Sequence, residues 1–441
     1  MKRIQKDGLF LMMVTLAIPT ILEEMLTTVM QYVDTAMVGH LGADATAAVS
    51  VTTTVSWLVG SIASALSVGV IAMVAQGVGS EDKQKVQKTS AQAFLLVLLL
   101  GVLATAVVLG ISPYVPGWMG AQENIRSTAS RYFFIINVPL IFRMANSVLA
   151  AAIRATKDTK TPMLIHLFSN ILNVVFNILF IYVLELGVEG AAVSTAISYT
   201  ISGILIFIVY RKKELLRWHI AGLRPDGKIL KRMAEISVPV LCTSVTSCLG
   251  YVVFASLVTG MGNLVFAAHS IAVTAETIFY IPGYGLRTAT QTLIGISLGE
   301  RDHAKFLRVC RYSIVLTIGM MVVSGVVLFG IAEPFMRVFT SSQEVAALGA
   351  KMLRLVAFSE PFFGLMIVME GIFYGLGKTK YVFVVETASM WCVRILFTFL
   401  MVRVFHGDLR SVWYCMIADN VVKSVVLTIP MVKEKCMADI H

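Results

Sequence analysis

Thr20-Ile-Leu-Glu-Glu-Met-Leu-Thr-Thr-Val-Met-Gln-Tyr-Val-Asp34 lies inside an apolar run extending from about residue 9 to residue 39, and three acids fall within it. A carboxylate in hydrocarbon costs several kcal/mol unless it is paired, hydrated or protonated. In a helix, Thr20, Glu24, Thr27, Gln31 and Asp34 recur at steps of four or three and share one face. Such a stripe must look at protein or water rather than lipid. Glu23, next to Glu24, points elsewhere, toward a neighbouring helix or the edge of a cavity.

Outward from this stretch, apolar runs long enough to span a bilayer fall at about 9–39, 46–76, 90–111, 132–152, 162–184, 190–210, 236–260, 266–298, 309–331, 352–374, 381–404 and 411–432. Twelve membrane helices are expected. With 57% hydrophobic and 14% charged residues in 441, and a mean hydropathy of +0.81, the chain reads as an all-α polytopic membrane protein. The net charge of +10 does not imply nucleic acid, because the basic residues are spread over short connections. Those richest in Lys and Arg are the N-terminus, 80–89, 154–160, 211–232, 300–311, 378–380 and Lys433/Lys435, whereas 40–45, 185–189 and 261–265 have none. The positive-inside rule then predicts both termini in the cytoplasm of a cell with the protein in its inner membrane. Lys2, Arg3 and Lys6 precede a run too long, and without a cleavage pattern, to be a signal peptide, so a retained helix is expected. Cys242, Cys248, Cys310, Cys392 and Cys415 lie in apolar runs and Cys436 in the tail, with no C-x-x-C pair; neither disulfides nor a thiolate metal site is expected.

The two halves repeat each other. A shift of 220 residues lays Pro19 on Pro239, Gly42 on Gly262, Ala47-Ala48 on Ala267-Ala268, Gly79 on Gly299, Asp82 on Asp302 and Thr159-Lys160 on Thr379-Lys380. This divides the chain into a six-helix lobe at 1–210, a polar connection at 211–235 with the turn signal Arg224-Pro-Asp-Gly227, and a second lobe at 236–441. Six-plus-six repeats place a cavity between two bundles. On the same shift Asp34 falls on Phe254, and His166, Asn170, Asn173 and Asn177, one face of the fifth helix, fall on Glu386, Met390, Val393 and Phe397. Thr195 falls on Cys415. Ion-binding chemistry is therefore expected in the N-terminal half.

Val33-Asp-Thr-Ala-Met-Val-Gly-His-Leu-Gly42 resembles the first-helix signature of the multidrug and toxic compound extrusion (MATE) transporters. So do Arg154-Ala-Thr-Lys-Asp-Thr-Lys-Thr-Pro162, the Asn-rich fifth helix, Gly190-Ala-Ala-Val-Ser-Thr195, Ala267-Ala-His-Ser-Ile-Ala272 and Tyr374-Gly-Leu-Gly-Lys-Thr-Lys380. The ordered set, more than any one motif, carries the resemblance. It implies a V-shaped pair of six-helix bundles exporting drugs in exchange for protons or sodium. It also implies a cation site at Asp34, Asn173, Asn177 and Thr195, with Asn177 departing from an Asp often found there. The acids that the NorM branch carries on its seventh and tenth helices are missing from Thr246-Ser-Cys-Leu-Gly250 and Pro361-Phe-Phe-Gly364, which favours a DinF-like member.

Each of these residues also has a plainer reading. Asp34 could pair within the bundle, and Asn173, Asn177 and Thr195 could be interhelical glue, as could Asn170 and His166. Burial disfavours a bare carboxylate, and a proton or a sodium ion held among oxygens would each relieve it. Glu23 or Glu24 could attract cationic drugs or pair with an Arg such as Arg143. Glu276 and Arg287, three turns apart on one helix face, form either a structural bridge or a substrate contact, and so do Glu370 and Arg394. Glu360 is expected near a hydrated helix end. Pro19, fifteen residues before Asp34, is a candidate hinge; Pro139, Pro239, Pro282 and Pro361 read as static kinks.

The leading expectation is a cation-coupled exporter of organic cations, monomeric, with the bilayer as its surroundings and without cofactor other than the coupling H+ or Na+. A flippase for lipid-linked oligosaccharides is the alternative, though it would be expected to line its cavity with several Arg and Lys. An integral membrane enzyme lacks support, since no H-E-x-x-H, Ser elbow or long catalytic loop occurs.

Overall fold

In the computed structural model, which describes residues 2–432, every apolar run is helical and no strand occurs among the described residues. Lys433, Lys435 and Cys436 lie outside them. The helices are α1 (Lys2–Gly39), α2 (Ala43–Gly79), α3 (Lys83–Ile111), the short α4 (Val115–Trp118), α5 (Glu123–Asn137), α6 (Leu140–Ala155), α7 (Lys160–Val183) and α8 (Gly187–Lys212). The second half supplies α9 (Gly227–Thr259), α10 (Asn263–Gly299), α11 (His303–Phe339), α12 (Gln343–Ala357), α13 (Glu360–Leu376), α14 (Thr379–Val404) and α15 (Leu409–Val432). Among the described residues, ten are long and apolar enough to cross a membrane, and twelve spans result if each of two bent pairs counts as one. Leu99, Val102 and Leu103 on α3, and Val315, Val323 and Val326 on α11, are each about 60% exposed or more, the mark of faces that meet lipid.

The spans expected at 132–152 and 352–374 are each a bent pair of helices. α5 and α6 meet at 47° and α12 and α13 at 57°. Pro139 caps α6 and Pro361 sits in the first turn of α13, positions where a missing N–H is harmless. Pro19, Pro239 and Pro282 instead stay inside continuous helices.

Backbone detail carries the repeat. Gly42 and Gly262 both take φ above 100°, Glu81 and Arg301 share φ 55°, and Lys157 and Gly377 are both left-handed, all at an offset of 220. The Asp82 and Asp302 carboxylates each accept from the backbone N–H three residues on at 2.8 Å, capping α3 and α11 alike. Beyond residue 390 the offset becomes 221. Leu184 N donates to Leu179 O and Phe405 N to Leu400 O, Leu186 N to Phe180 O and Gly407 N to Met401 O, and Glu185 and His406 share φ near 51°. A π-helical stretch at Met390–Ile395, with no counterpart in α7, accommodates the extra residue.

The correspondences drawn from a constant 220 therefore fail from this point. Asn173 is matched by Arg394 rather than Val393, Asn177 by Thr398 rather than Phe397, and Thr195 by Met416 rather than Cys415. The hydrogen bond from Ser169 Oγ to Ser198 O at 3.0 Å, repeated by Ser389 Oγ to Asp419 O at 3.4 Å, fixes the new register.

Contacts group the chain into two units, Met25–Leu241 and Met1–Glu24 with Cys242–His441. Each takes in the start of the other repeat's first helix. In the first unit, Gly69 lets α9 approach, since a Cβ there would lie 2.4 Å from Ser237 Oγ. In the second, Gly285 does the same for α1, with Ile21 N 2.6 Å from its would-be Cβ and Thr20 Oγ1 donating to Gly285 O at 2.9 Å. The second unit's core is built around the fully buried Trp413 with Phe254, Leu328, Met336 and Leu353.

The connection at 211–235 is not an open linker. Tyr210 and Leu216 are fully buried, Tyr210 Oη donates to Ser90 O at 2.6 Å, and Ser90 Oγ donates to Leu216 O at 2.8 Å. Gln92 Nε2 donates to Gly222 O at 3.1 Å and to Arg224 O at 2.8 Å, Lys83 pairs with Glu214, and the Phe94 and Trp218 rings pack at a tilt. Asp226, in the predicted turn, caps α9 by accepting from Lys228 N at 3.0 Å.

Candidate functional site

The first unit brings four of the expected residues into one hydrogen-bonded chain. Asn177 Nδ2 donates to Asp34 Oδ1 at 2.5 Å and to Asn173 Oδ1 at 3.2 Å, and Asn173 Nδ2 donates to Thr195 Oγ1 at 3.2 Å. Helical spacing places Asn173 and Asn177 one turn apart on α7, facing Asp34 of α1 and Thr195 of α8. Ser194 Oγ donates to Asn173 O at 2.9 Å and ties α8 to α7 at the same level. Asn173 and Asn177 are buried, and Asn177 Oδ1 has no hydrogen-bond partner among the described residues, while Asp34 is partly exposed.

One carboxylate, two amides and a hydroxyl offer oxygens that suit a hard monovalent cation or, equally, a proton on Asp34. The amide of Asn177 can serve both protonation states. It donates through Nδ2 to the carboxylate and, turned over, could accept from the carboxylic acid through Oδ1. Tyr132 of α5 packs beside this site against Val38, Ile181 and Val188.

Other predicted members lie elsewhere. The polar stripe of α1 is not one surface: Thr20 is buried against Gly285 in the second unit, Glu23 is buried, Glu24 and Gln31 are exposed, and Thr27 is partly buried. Expecting Glu24 to share Asp34's surroundings is thus corrected, because the division between units falls between the two residues. His166 Nε2 meets Asn146 Nδ2 at 3.4 Å, outside the Asp34 chain, and Asn170 Nδ2 is buried without a partner.

In the second unit, Arg287 does not bridge to Glu276. Its Nη1 donates to Glu370 Oε2 at 2.8 Å, with the guanidinium over the Tyr284 ring at 4.9 Å. Eleven helical residues separate Glu276 from Arg287 by about 16 Å of rise, too far for contact. Arg394 pairs with Asp419 at 3.0 Å, not with Glu370. Glu360 is only 1% exposed rather than at a hydrated end, with Oε2 unpartnered.

Asp419 and Lys423, which sequence reasoning missed, join Arg394 and Glu386 in a buried charge cluster. Lys423 Nζ reaches Glu386 Oε2 at 2.9 Å and Asp419 Oδ2 at 3.2 Å, Ser389 Oγ donates to Asp419 Oδ1 at 2.6 Å, and Arg394 Nη2 donates to Asn420 Oδ1 at 3.4 Å. Two cations and two anions leave it neutral, which is how a membrane interior tolerates such groups. Asp419 and Lys423, four apart in an apolar run, are its signal in the sequence.

The sequence profile of the MatE family matches residues 19–179 and 239–400, one block in each half. The probable multidrug resistance protein NorM of Thermotoga maritima is 27% identical over 94% of this chain and 90% of its own length. The probable multidrug resistance protein YpnP of Bacillus subtilis is 25% identical over 88% of this chain and 87% of its own. Among solved structures, an outward-facing multidrug resistance MATE family transporter of the MOP superfamily superimposes with a TM-score of 0.92 at 22% identity, covering 97% of this chain and 96% of that one. A MATE in the straight conformation matches with the same TM-score over 98% of this chain and 97% of that one. Two profile blocks set on two structurally repeated halves, in a helical membrane fold shared over nearly the whole length, leave one conclusion: the chain belongs to the MatE family of multi-pass membrane transporters.

Proposed function

We propose that the protein is a secondary active exporter of cationic or amphipathic organic compounds, driven by antiport of H+ or Na+ with Asp34 as the coupling residue. The observation that carries this reading is the chain Asp34–Asn177–Asn173–Thr195, in which a single carboxylate is held by a side chain able to answer its protonation. A proton or sodium ion at Asp34 changes what ties α1 to α7, and a change in that tie shifts the balance between conformations with high and low drug affinity. With sodium, the ligands are oxygens of Asp34, Asn173, Asn177 and Thr195. Relatives named as multidrug resistance proteins support the cargo class.

Glu23, Glu24, Thr27, Gln31, Asn170, His166, Glu276, Arg287 and Glu370 are proposed as supporting polar groups or substrate contacts. Pro19 is the proposed hinge, since it removes a helix hydrogen bond on the helix that carries Asp34. Orientation follows the positive-inside rule, with a monomer in the inner membrane and both termini cytoplasmic. A DinF-like rather than NorM-like placement rests on the lack of acids at 246–250 and 361–364. Against the flippase alternative, Arg287, Arg394 and Lys423 are each held by a carboxylate and are not available to a pyrophosphate.

The test is drug efflux from vesicles under an imposed pH gradient or an imposed sodium gradient, comparing native protein with Asp34→Asn. One gradient is expected to drive efflux by the native protein and neither by the variant. Full coupled efflux by Asp34→Asn would sink the proposal.

A further inference from the structure

A cation in the first unit is left over from this scheme. Arg143 stands in the first turn of α6, the positive end of a helix, inside a membrane span. Both surroundings oppose its charge, yet no carboxylate lies within ion-pair distance among the described residues. Its guanidinium packs over the Tyr199 ring at 5.5 Å and against Gly60, where a Cβ would come 3.0 Å from Nη2. Other intramembrane cations with described partners behave differently: Arg287, Arg394 and Lys423 are each bound to an acid.

Three polar groups on helices of the same unit lack a hydrogen-bond partner among the described residues. Ser56, one turn before Gly60 on the same face of α2, has a buried hydroxyl without a partner. Asn146, one turn after Arg143 on α6, is 5% exposed, and its Oδ1 has no partner. The buried amide nitrogen of Asn170 on α7 is likewise unmet. A guanidinium fork with a hydroxyl and two amides that can turn to donate is the donor set that binds a carboxylate or similar oxyanion.

We infer that Arg143, with Ser56, Asn146 and Asn170, forms a subsite in the first unit for an anionic group of the transported molecule, so that preferred substrates are amphiphiles bearing a carboxylate. The inference rests on the exporter reading for its cargo, but it makes a separate statement about binding. Asp34 and Arg143 belong to the same unit, which can therefore present an acid and a base to one molecule. A zwitterion satisfies both, whereas a simple cation leaves Arg143 without a counter-charge. Gly60 is the companion feature: the absence of a side chain there leaves the guanidinium room to take its position over Tyr199.

Equilibrium binding to the purified full-length protein, followed by fluorescence polarisation with a zwitterionic rhodamine and its methyl ester, tests this. Native protein is expected to prefer the free carboxylate by about tenfold or more, the worth of one charge-assisted fork. The ratio should fall to near one in Arg143→Gln and stay at severalfold in Arg143→Lys, which keeps the charge but not the fork. Equal affinity of native protein for the two dyes, binding of neither, or a preference that survives Arg143→Gln would overturn the assignment. A site that holds only chloride gives equal affinities and is overturned with it. Because no gradient or transport is involved, failure of coupled efflux in vesicles leaves this result standing, and the reverse also holds.

Discussion

Replacing Asn177 with Leu removes the hydrogen bond to Asp34 while keeping the branched shape and the number of non-hydrogen atoms of the side chain. In the native structure Asn177 Nδ2 lies 2.5 Å from Asp34 Oδ1, a charge-assisted bond when Asp34 is ionised. Such bonds contribute about 1.5–3 kcal/mol, against about 0.5–1.5 kcal/mol for the neutral bond that the turned amide makes to the protonated acid, so the ionised form is favoured by the difference of about 1–1.5 kcal/mol. At about 1.4 kcal/mol per pH unit, loss of both bonds moves the midpoint of the pH–rate profile for proton-driven efflux upward by about 1 unit. The sign follows because a carboxylate that has lost its donor holds its proton to higher pH. Asn173→Leu is the control, since it breaks the bonds to Asn177 and Thr195 but leaves the donor to Asp34 in place, and it should move the midpoint much less. Initial efflux rates from vesicles of set internal pH give both midpoints, and melting of the detergent-solubilised variants shows that each is folded. An unchanged midpoint in Asn177→Leu, or an equal shift in both variants, would refute the assignment of the Asn177–Asp34 bond as the coupling contact.

Lys423→Met leaves Glu386 and part of Asp419 without a counter-charge in the buried cluster of the second unit, and should destabilise the protein by about 3–5 kcal/mol. Adding Glu386→Gln should recover most of the loss in melting temperature, and no recovery would argue against the pairing. Outside the membrane, burial pushes the Asp158 carboxyl up, but hydrogen bonds from Lys213 and Thr161 and the charge of Lys213 outweigh it and hold the group below the usual carboxylate range. Its contribution to stability is therefore present above about pH 4 and is lost as pH falls through the lower folded value. Native protein should lose melting temperature over that acid range more steeply than Asp158→Asn, and parallel curves would remove this tie from the account.

Membrane character, helix number to within the bent pairs, and the twofold repeat were all legible in the sequence. They rest on apolar run length and on turn residues such as Gly42, Asp82 and Asp302, whose backbone roles are local. Asp34, Asn173, Asn177 and Thr195 could be named because a carboxylate and amides in hydrocarbon demand partners wherever they lie. Who partners whom was not legible. The extra residue taken up by the π-helical turn at Met390–Ile395 moves every later side chain by about 100° around α14, so Arg394 rather than Val393 stands where Asn173 does in the first half. Likewise, Arg287 reaches Glu370 on another helix rather than Glu276 on its own, and α1 divides between two units within its acidic stretch. Periodicity along one helix fixes which residues share a face, but the neighbour of that face is chosen by packing between segments hundreds of residues apart. Among the described residues that choice left Arg143 without an acid within ion-pair distance, which no spacing within α6 could have disclosed.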